Sequence, residues 1–279
     1  DRFEEFLHAT LAKGQQFYPH LTFPAIPEPH PAMPEYYDLY EKDPDYLGAL
    51  TMFDDQLGRL MQLLRDTGVY NDTVILYTAD NGPHQGEERT DIRYSTRFLR
   101  QCKASNFEGG LRVPGAIHAP QLIPTFANVT APAFTADFLP TIMELLGVET
   151  DNPGWAMDGI SLLPWITEKG SEVGGRGKLG RPADKPIGIS WGDQDAIINN
   201  NWKLMTKPAK GQCDWQEPYG SMSKFDDHYL FDLDTDYHEL HDRKADSPKI
   251  FQDMLEALAE FKASIKASQM GETGCGKAV

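Results

Sequence analysis

The sequence predicts an α/β fold followed by a small α+β subdomain, and three features carry that prediction. A long amphipathic helix pattern over Tyr46–Thr67 runs, through a tight turn at Val69–Asp72, straight into the apolar, β-prone run Val74-Ile75-Leu76-Tyr77. A helix feeding a buried strand is the αβ half of a crossover unit. That strand stops at Asp80-Asn81-Gly82-Pro83, turn chemistry at the carboxyl end of a strand, where open α/β sheets place their ligands. The last third changes character to short strands separated by turn residues and closed by one helix.

Residues 1–13 read as helical, with Phe3, Phe6, Leu7 and Leu11 on one face. Phe17–Phe23 reads as a strand, and Pro24, Pro27, Pro29, Pro31 and Pro34 then fix an extended loop that carries Glu28 and His30. In the long helix Tyr46, Leu50, Phe53, Leu57, Leu60 and Leu64 form the apolar stripe, Asp54, Asp55, Arg59 and Arg65 the wet face, and Gly68 the C-cap. The strand after it is apolar without alternation, which predicts burial on both faces. Gly86–Gln101 is polar and basic, with Arg89, Arg93, Arg97 and Arg100. Leu111–His118 reads as a further strand, and Thr135–Leu146 as a helix burying Phe138, Leu139, Ile142, Leu145 and Leu146. Asp158–Pro164 is a turn and short helix.

The glycines and basic residues of Lys169–Lys185 suggest a loop or linker, which divides the chain into 1–168, 169–185 and 186–279. Strands follow at Ile187–Trp191, Asp195–Asn199, Trp202–Thr206 and Tyr229–Leu233, with Asn199-Asn200-Asn201 as a hairpin turn. Pro248–Ser268 is the closing helix.

Composition narrows the function classes. A net charge of −16 over 279 residues argues against nucleic acid and anionic membrane surfaces as partners. No apolar run is long enough for a membrane span. An anionic ligand would need local cations. The odd number of cysteines, Cys102, Cys213 and Cys275, gives no zinc spacing and leaves room for one disulfide. Sequons at Asn71-Asp72-Thr73 and Asn128-Val129-Thr130 fit a secretory glycoprotein. Asp1–Leu7 reads as mid-helix without an initiator methionine, so the expectation is a fragment whose upstream part is missing.

Asp80 and Asn81 are the candidate chemistry at the strand end. Both present hard oxygen donors suited to Ca²⁺ or Mg²⁺. The competing reading is an Asx-type turn in which they bond only their own backbone. By the same standard Lys103 alone is a surface lysine, His30 and His84 are loop histidines, and Arg112 is a structural ion-pair partner.

Taken in order, these pieces resemble the sulfatase family of the alkaline-phosphatase-like superfamily over nearly the whole chain, most of all its arylsulfatase branch. The resemblance rests on Tyr46-Leu47-Gly48-Ala49 with Asp54 and Gly58, on Asn71–Gly82, and on Lys103 with Phe107-Glu108-Gly109-Gly110-Leu111-Arg112-Val113-Pro114. It continues through Asp137–Thr141, Asp158-Gly159, Asn201-Trp202-Lys203-Leu204 and Leu230–Asp236.

The resemblance implies a mixed, mostly parallel sheet sandwiched by helices, incomplete here, and hydrolysis of a sulfate ester on a sulfated small molecule or polysaccharide. It implies that Asp80 and Asn81 complete the shell of a Ca²⁺ or Mg²⁺ ion, and that Lys103 is the catalytic and substrate-binding lysine. It also implies a secreted, lysosomal or periplasmic location. The family's Cys/Ser-x-Pro-x-Arg motif, the source of its formylglycine nucleophile, is not in this sequence. Formylglycine and the paired metal-binding aspartates are therefore expected only upstream, and the isolated chain is expected to be inactive. The family's sulfate-binding histidine aligns with Pro27, so His30 is its candidate replacement and His84 a second candidate near metal or substrate. Two other readings stay open: a phosphoesterase of the same superfamily, and a non-catalytic protein that binds sulfated glycans.

Overall fold

The computed structural model describes residues 2–23, 32–83, 99–123, 128–148, 157–167, 180–206 and 227–271, so Pro27, His30, His84 and Arg89 lie outside the described residues. The chain divides into two compact units, Asp1–Thr73 and Val74–Val279.

The first unit is helical. It contains α1 (Arg2–Leu11), α2 (Pro34–Tyr37), α3 (Pro44–Asp66) and a 3-10 turn at Tyr70–Asp72. Residues 17–23 form no strand, contrary to the sequence reading. Phe23 instead meets Phe53 of α3 edge-on, the ring centroids 5.2 Å apart. The tightest contact on α3 runs through small residues. Gly48 and Ala49 are buried, and a Cβ on Gly48 would come within 3.0 Å of the Tyr36 carbonyl, so glycine is what lets α2 lie against α3. Of the expected apolar stripe only Leu64 is fully buried, while Leu50 is 40% exposed. Gly68, at φ +77°, ends α3 as expected, and the Val69 amide reaches back to the Leu64 carbonyl.

The second unit holds β1 (Ile75–Thr78), α4 (Glu108–Leu111), β2 (Gly115–His118), α5 (Phe138–Leu145), α6 (Leu163–Ile166), β3 (Ile187–Trp191), β4 (Gln194–Asn199), β5 (Trp202–Thr206), β6 (His228–Asp232) and α7 (Pro248–Gln269). The fold is thus α/β with antiparallel sheets. The mostly parallel layout is not seen among the described residues. β1 pairs with β2 antiparallel, Ile75 opposite His118 and Thr78 opposite Gly115. The residues of β1 are all partly exposed rather than buried on both faces. The strand expected from Leu111 begins only at Gly115, because Glu108–Leu111 close a helical turn before it.

The C-terminal sheet has the order β3-β4-β5-β6, every pairing antiparallel. Its strands stand where the alternation of the sequence puts them. Asn200 takes φ +55° at the β4–β5 turn and Gly192 φ +61° at the β3–β4 turn. Period-two alternation gives the sheet two different faces. Ile197, Leu204 and Leu230 face α7, where Met254 and Leu258 cover them. Gly188 allows this packing, since a Cβ there would fall 2.3 Å from the Phe261 ring. Ala196, Ile198, Met205, Tyr229 and Phe231 face the other way and share a core with Phe107, Leu111 and Phe134. Lys203 lies between Ile198 and Phe231 in the pairing register, and so belongs to this second face.

The end of the glycine-rich segment is firmly held. Arg181 makes a two-pronged ion pair with Asp137, at 2.7 and 3.0 Å, with both side chains fully buried. Asp137 also accepts the amides of Phe134 and Ile160, so both of its oxygens are used. Gly159 sits so close to the Ala136 carbonyl that a Cβ would be 2.0 Å away. Asp137 and Asp158-Gly159, read from the sequence as landmarks of the resemblance, therefore form a structural joint.

Candidate functional site

β1 delivers Asp80 and Asn81 two and three residues beyond its last residue, Thr78. Their local bonds match the Asx reading in part. Asp80 Oδ1 accepts the Asn81 amide at 2.9 Å, and the Asn81 side-chain nitrogen donates to the Gly82 carbonyl at 2.8 Å. These bonds leave Asp80 Oδ2 and Asn81 Oδ1 without a partner among the described residues. Asp80 is exposed and Asn81 half-buried. One carboxylate oxygen and one amide oxygen, both hard, stand side by side at the strand end. That donor set suits Ca²⁺ or Mg²⁺, and it is two of the six or more ligands such an ion takes. No group of three or more His, Cys, Asp or Glu that could hold a metal stands among the described residues.

Lys103 comes to the same place by backbone bonds. Its amide donates to the Pro83 carbonyl at 2.9 Å, immediately after the Asp80–Gly82 turn. The Gly82 amide donates to the Gly110 carbonyl at 2.8 Å, and the Gly109 amide to the Arg100 carbonyl at 2.8 Å. The two glycines of α4 are thus a hub that holds the acid–amide turn on one side and the lysine loop on the other. Only glycine fits. A Cβ on Gly109 would meet the Gln101 carbonyl at 2.0 Å, one on Gly110 the Ser105 carbonyl at 2.2 Å, and one on Gly82 the Gly109 carbonyl at 1.9 Å. The loop pays in backbone strain, with Gln101 at φ +60° and Ala104 at φ +66°. Cys102, beside Lys103, is buried and disulfide-bonded. The Lys103 ammonium has no ion-pair partner among the described residues.

Beneath the hub lies a buried charge network. Glu108 accepts Lys203 at 3.0 Å and Arg112 at 2.7 Å, which makes Arg112 the ion-pair partner that its sequence context suggested. Lys203, fully buried, also lies 2.7 Å from Glu239. Burial pushes the Glu108 carboxyl up, but Lys203 and Arg112 outweigh it and hold it below the ordinary range. Glu239 is raised to about 7 by burial first; the neighbouring Glu108 adds to this and Lys203 opposes it. Burial lowers Lys203, yet the two carboxylates win and keep it raised and charged. Arg100 is 7% exposed, donates to the Glu239 carbonyl at 2.6 Å and lies over the Phe107 ring at 4.6 Å. It belongs to this network.

The structure therefore joins the backbone of Lys103 to the residue that follows the Asp80–Gly82 turn, while His30 and His84 fall outside the described residues. Sequence reasoning missed Glu239 and saw Lys203 only as a landmark. A lysine inside an alternating strand at an inward position was the available signal for Lys203. Tyr237-His238-Glu239-Leu240 offered none.

Comparison with known proteins places the chain in a family. The chain belongs to the sulfatase family, whose model, described as Sulfatase, matches residues 1–148. Human steryl-sulfatase is 32% identical over 127 residues, covering 44% of this chain and 22% of that protein. Mouse arylsulfatase J is 24% identical over 285 residues, covering 91% of this chain and 46% of that protein. Among solved structures, Ps i-CgsB in complex with k-i-k-neocarrahexaose shares the fold with a TM-score of 0.73 at 22% identity, over 92% of this chain and 52% of that one. The chain thus spans about a fifth to a half of the length of these proteins.

Proposed function

We propose that this chain is part of a divalent-metal-dependent sulfuric ester hydrolase acting on a sulfated small molecule or polysaccharide. The observation that carries the reading is the backbone junction in which the Gly82 amide bonds the Gly110 carbonyl and the Lys103 amide bonds the Pro83 carbonyl, so that the Asp80-Asn81 turn and the Lys103 loop are joined. Asp80 and Asn81 would hold the cation through their unpartnered oxygens, with the remaining ligands supplied by other residues. A bound Ca²⁺ or Mg²⁺ supplies Lewis-acid stabilisation of charge on sulfate oxygens. Lys103 stabilises the negative charge that grows on the ester oxygen as the S–O bond breaks, reaching it from a loop whose backbone is pinned to Pro83. A local ammonium suffices on a chain of net charge −16, because the field that matters acts over a few ångströms.

We further propose that β1, whose Ile75, Leu76 and Tyr77 are apolar yet only partly covered and which pairs with β2, belongs to a larger, mostly parallel sheet. The division at 169–185 is likewise proposed as the boundary between the catalytic portion and the C-terminal sheet. The disulfide at Cys102 supports a secreted, lysosomal or periplasmic location, since such bonds persist in oxidising compartments. Among the described residues no helix is long and apolar enough to cross a membrane.

The reading is tested in the complete protein by Asp80→Ala and Lys103→Ala. Asp80→Ala is expected to abolish calcium binding measured by calorimetry. Lys103→Ala is expected to lower kcat on an aryl sulfate by about 10²–10³, the cost typical of losing one preorganised stabiliser. Unchanged calcium affinity in the first variant would remove the metal assignment.

A further inference from the structure

Glu239 carries two costs that nothing in its own loop offsets. Its side chain is fully buried, and its backbone is left-handed at φ +57° without being glycine. A buried carboxyl needs partners, and a left-handed backbone strains any residue that carries a Cβ. The surrounding loop is shaped by Asp236, whose Oδ2 accepts the amides of Leu240 and His241 at 2.8 and 2.7 Å and whose carbonyl accepts the Glu239 amide at 3.0 Å.

The compensating bonds all lead away from that loop. Glu239 Oε2 accepts the Glu108 amide at 2.7 Å across 131 residues of chain. Its carbonyl accepts Arg100 at 2.6 Å across 139 residues. Its other carboxylate oxygen lies 2.7 Å from Lys203, which also holds the Glu108 carboxylate. Glu108 starts the turn that contains Gly109 and Gly110, and Arg100 supplies the carbonyl that the Gly109 amide binds. One residue therefore grips both sides of the hub.

We propose that Glu239 is a positioning residue of the candidate site: it fixes the Gly109–Gly110 turn, and through it the Asp80–Asn81 turn and the Lys103 loop. Only the catalytic consequence rests on the sulfatase reading above; the structural one does not. A competing role, plain stabilisation of the β5 core through Lys203, makes different predictions.

Hydrogen exchange on the 279-residue chain separates them. In Glu239→Gln, peptides covering 78–83 and 99–112 are expected to exchange about tenfold faster or more, with β4 and β5 within threefold of wild type. Equal acceleration everywhere, or wild-type rates in those two peptides, would overturn the positioning role. Should Glu239→Gln fail to fold, Lys203→Met/Glu239→Leu decides, because an apolar pair replaces the buried charges. A protected sheet with fast 78–83 and 99–112 supports the proposal; full protection of both refutes it. In the complete protein, Glu239→Gln is expected to lower kcat on an aryl sulfate about tenfold or more, with KM within twofold, since small misplacements cost turnover. An active wild type whose kcat survives this substitution also refutes it. A wild type that releases no sulfate sinks the functional reading and leaves the exchange result standing.

Discussion

The pair Arg181–Asp137 shows how much a single residue carries here. Both side chains are fully buried, so removing one leaves a charge with no water to receive it. Asp137→Ala is expected to cost about 3–5 kcal/mol, read as a lower urea midpoint. Glu239 yields a pH prediction. The groups facing it are Glu108 of α4, Lys203 of β5, and Arg100. Two carboxylates share one buried ammonium, and the carboxyl of Glu239 is raised to about 7, above its ordinary value near 4.3. The folded state then holds a proton that the unfolded state has released. The contribution is complete below about pH 4 and is lost as pH rises through about 7. Stability is expected to fall from pH 5 to 8, and Glu239→Gln to flatten that slope in urea melts run across the window. Neither residue was legible in the sequence. Arg181 sits in a basic, glycine-rich stretch whose composition says linker, and burial of an arginine depends on a partner 44 positions away.

Elements were legible where local pattern and tertiary setting agree. β3, β5 and the start of α7 fall where alternation, asparagine turns and Pro248 put them. α4 was not, because Glu-Gly-Gly reads as a turn and the helix exists through contacts with residues 100–105. β1 was found, but the direction of its partner was not, since an apolar run says nothing of the neighbour's orientation. Gly109 tests the hub at this scale. Its missing Cβ space is filled by backbone carbonyls at 2.0 and 2.4 Å, which cannot rotate away as a side chain could. Gly109→Ala is expected to destabilise the second unit by about 1–3 kcal/mol or more and to lower Lys103-dependent turnover further than stability alone explains. Thermal melts and kcat, both measured on the complete protein, check both.

At the scale of the whole molecule, the candidate site offers two hard oxygen donors and one lysine loop, and the sequence contains no Cys/Ser-x-Pro-x-Arg. The isolated 279-residue chain is expected to show no turnover, and sulfate release from a chromogenic aryl sulfate checks this. The candidate residues Asp80, Asn81 and Lys103 stand out in the sequence because a strand end and family motifs mark them, whereas the scaffold that joins their loops does not. That scaffold has a temporal consequence. During synthesis the Glu108 amide emerges long before its acceptor, and 131 residues must follow before Glu239 is present. The proposed clamp of Glu239 on the Gly109–Gly110 turn cannot close while the chain is still growing through β3–β6. Ribosome-bound intermediates that end before Glu239 thus carry the Gly109–Gly110 turn without its proposed clamp.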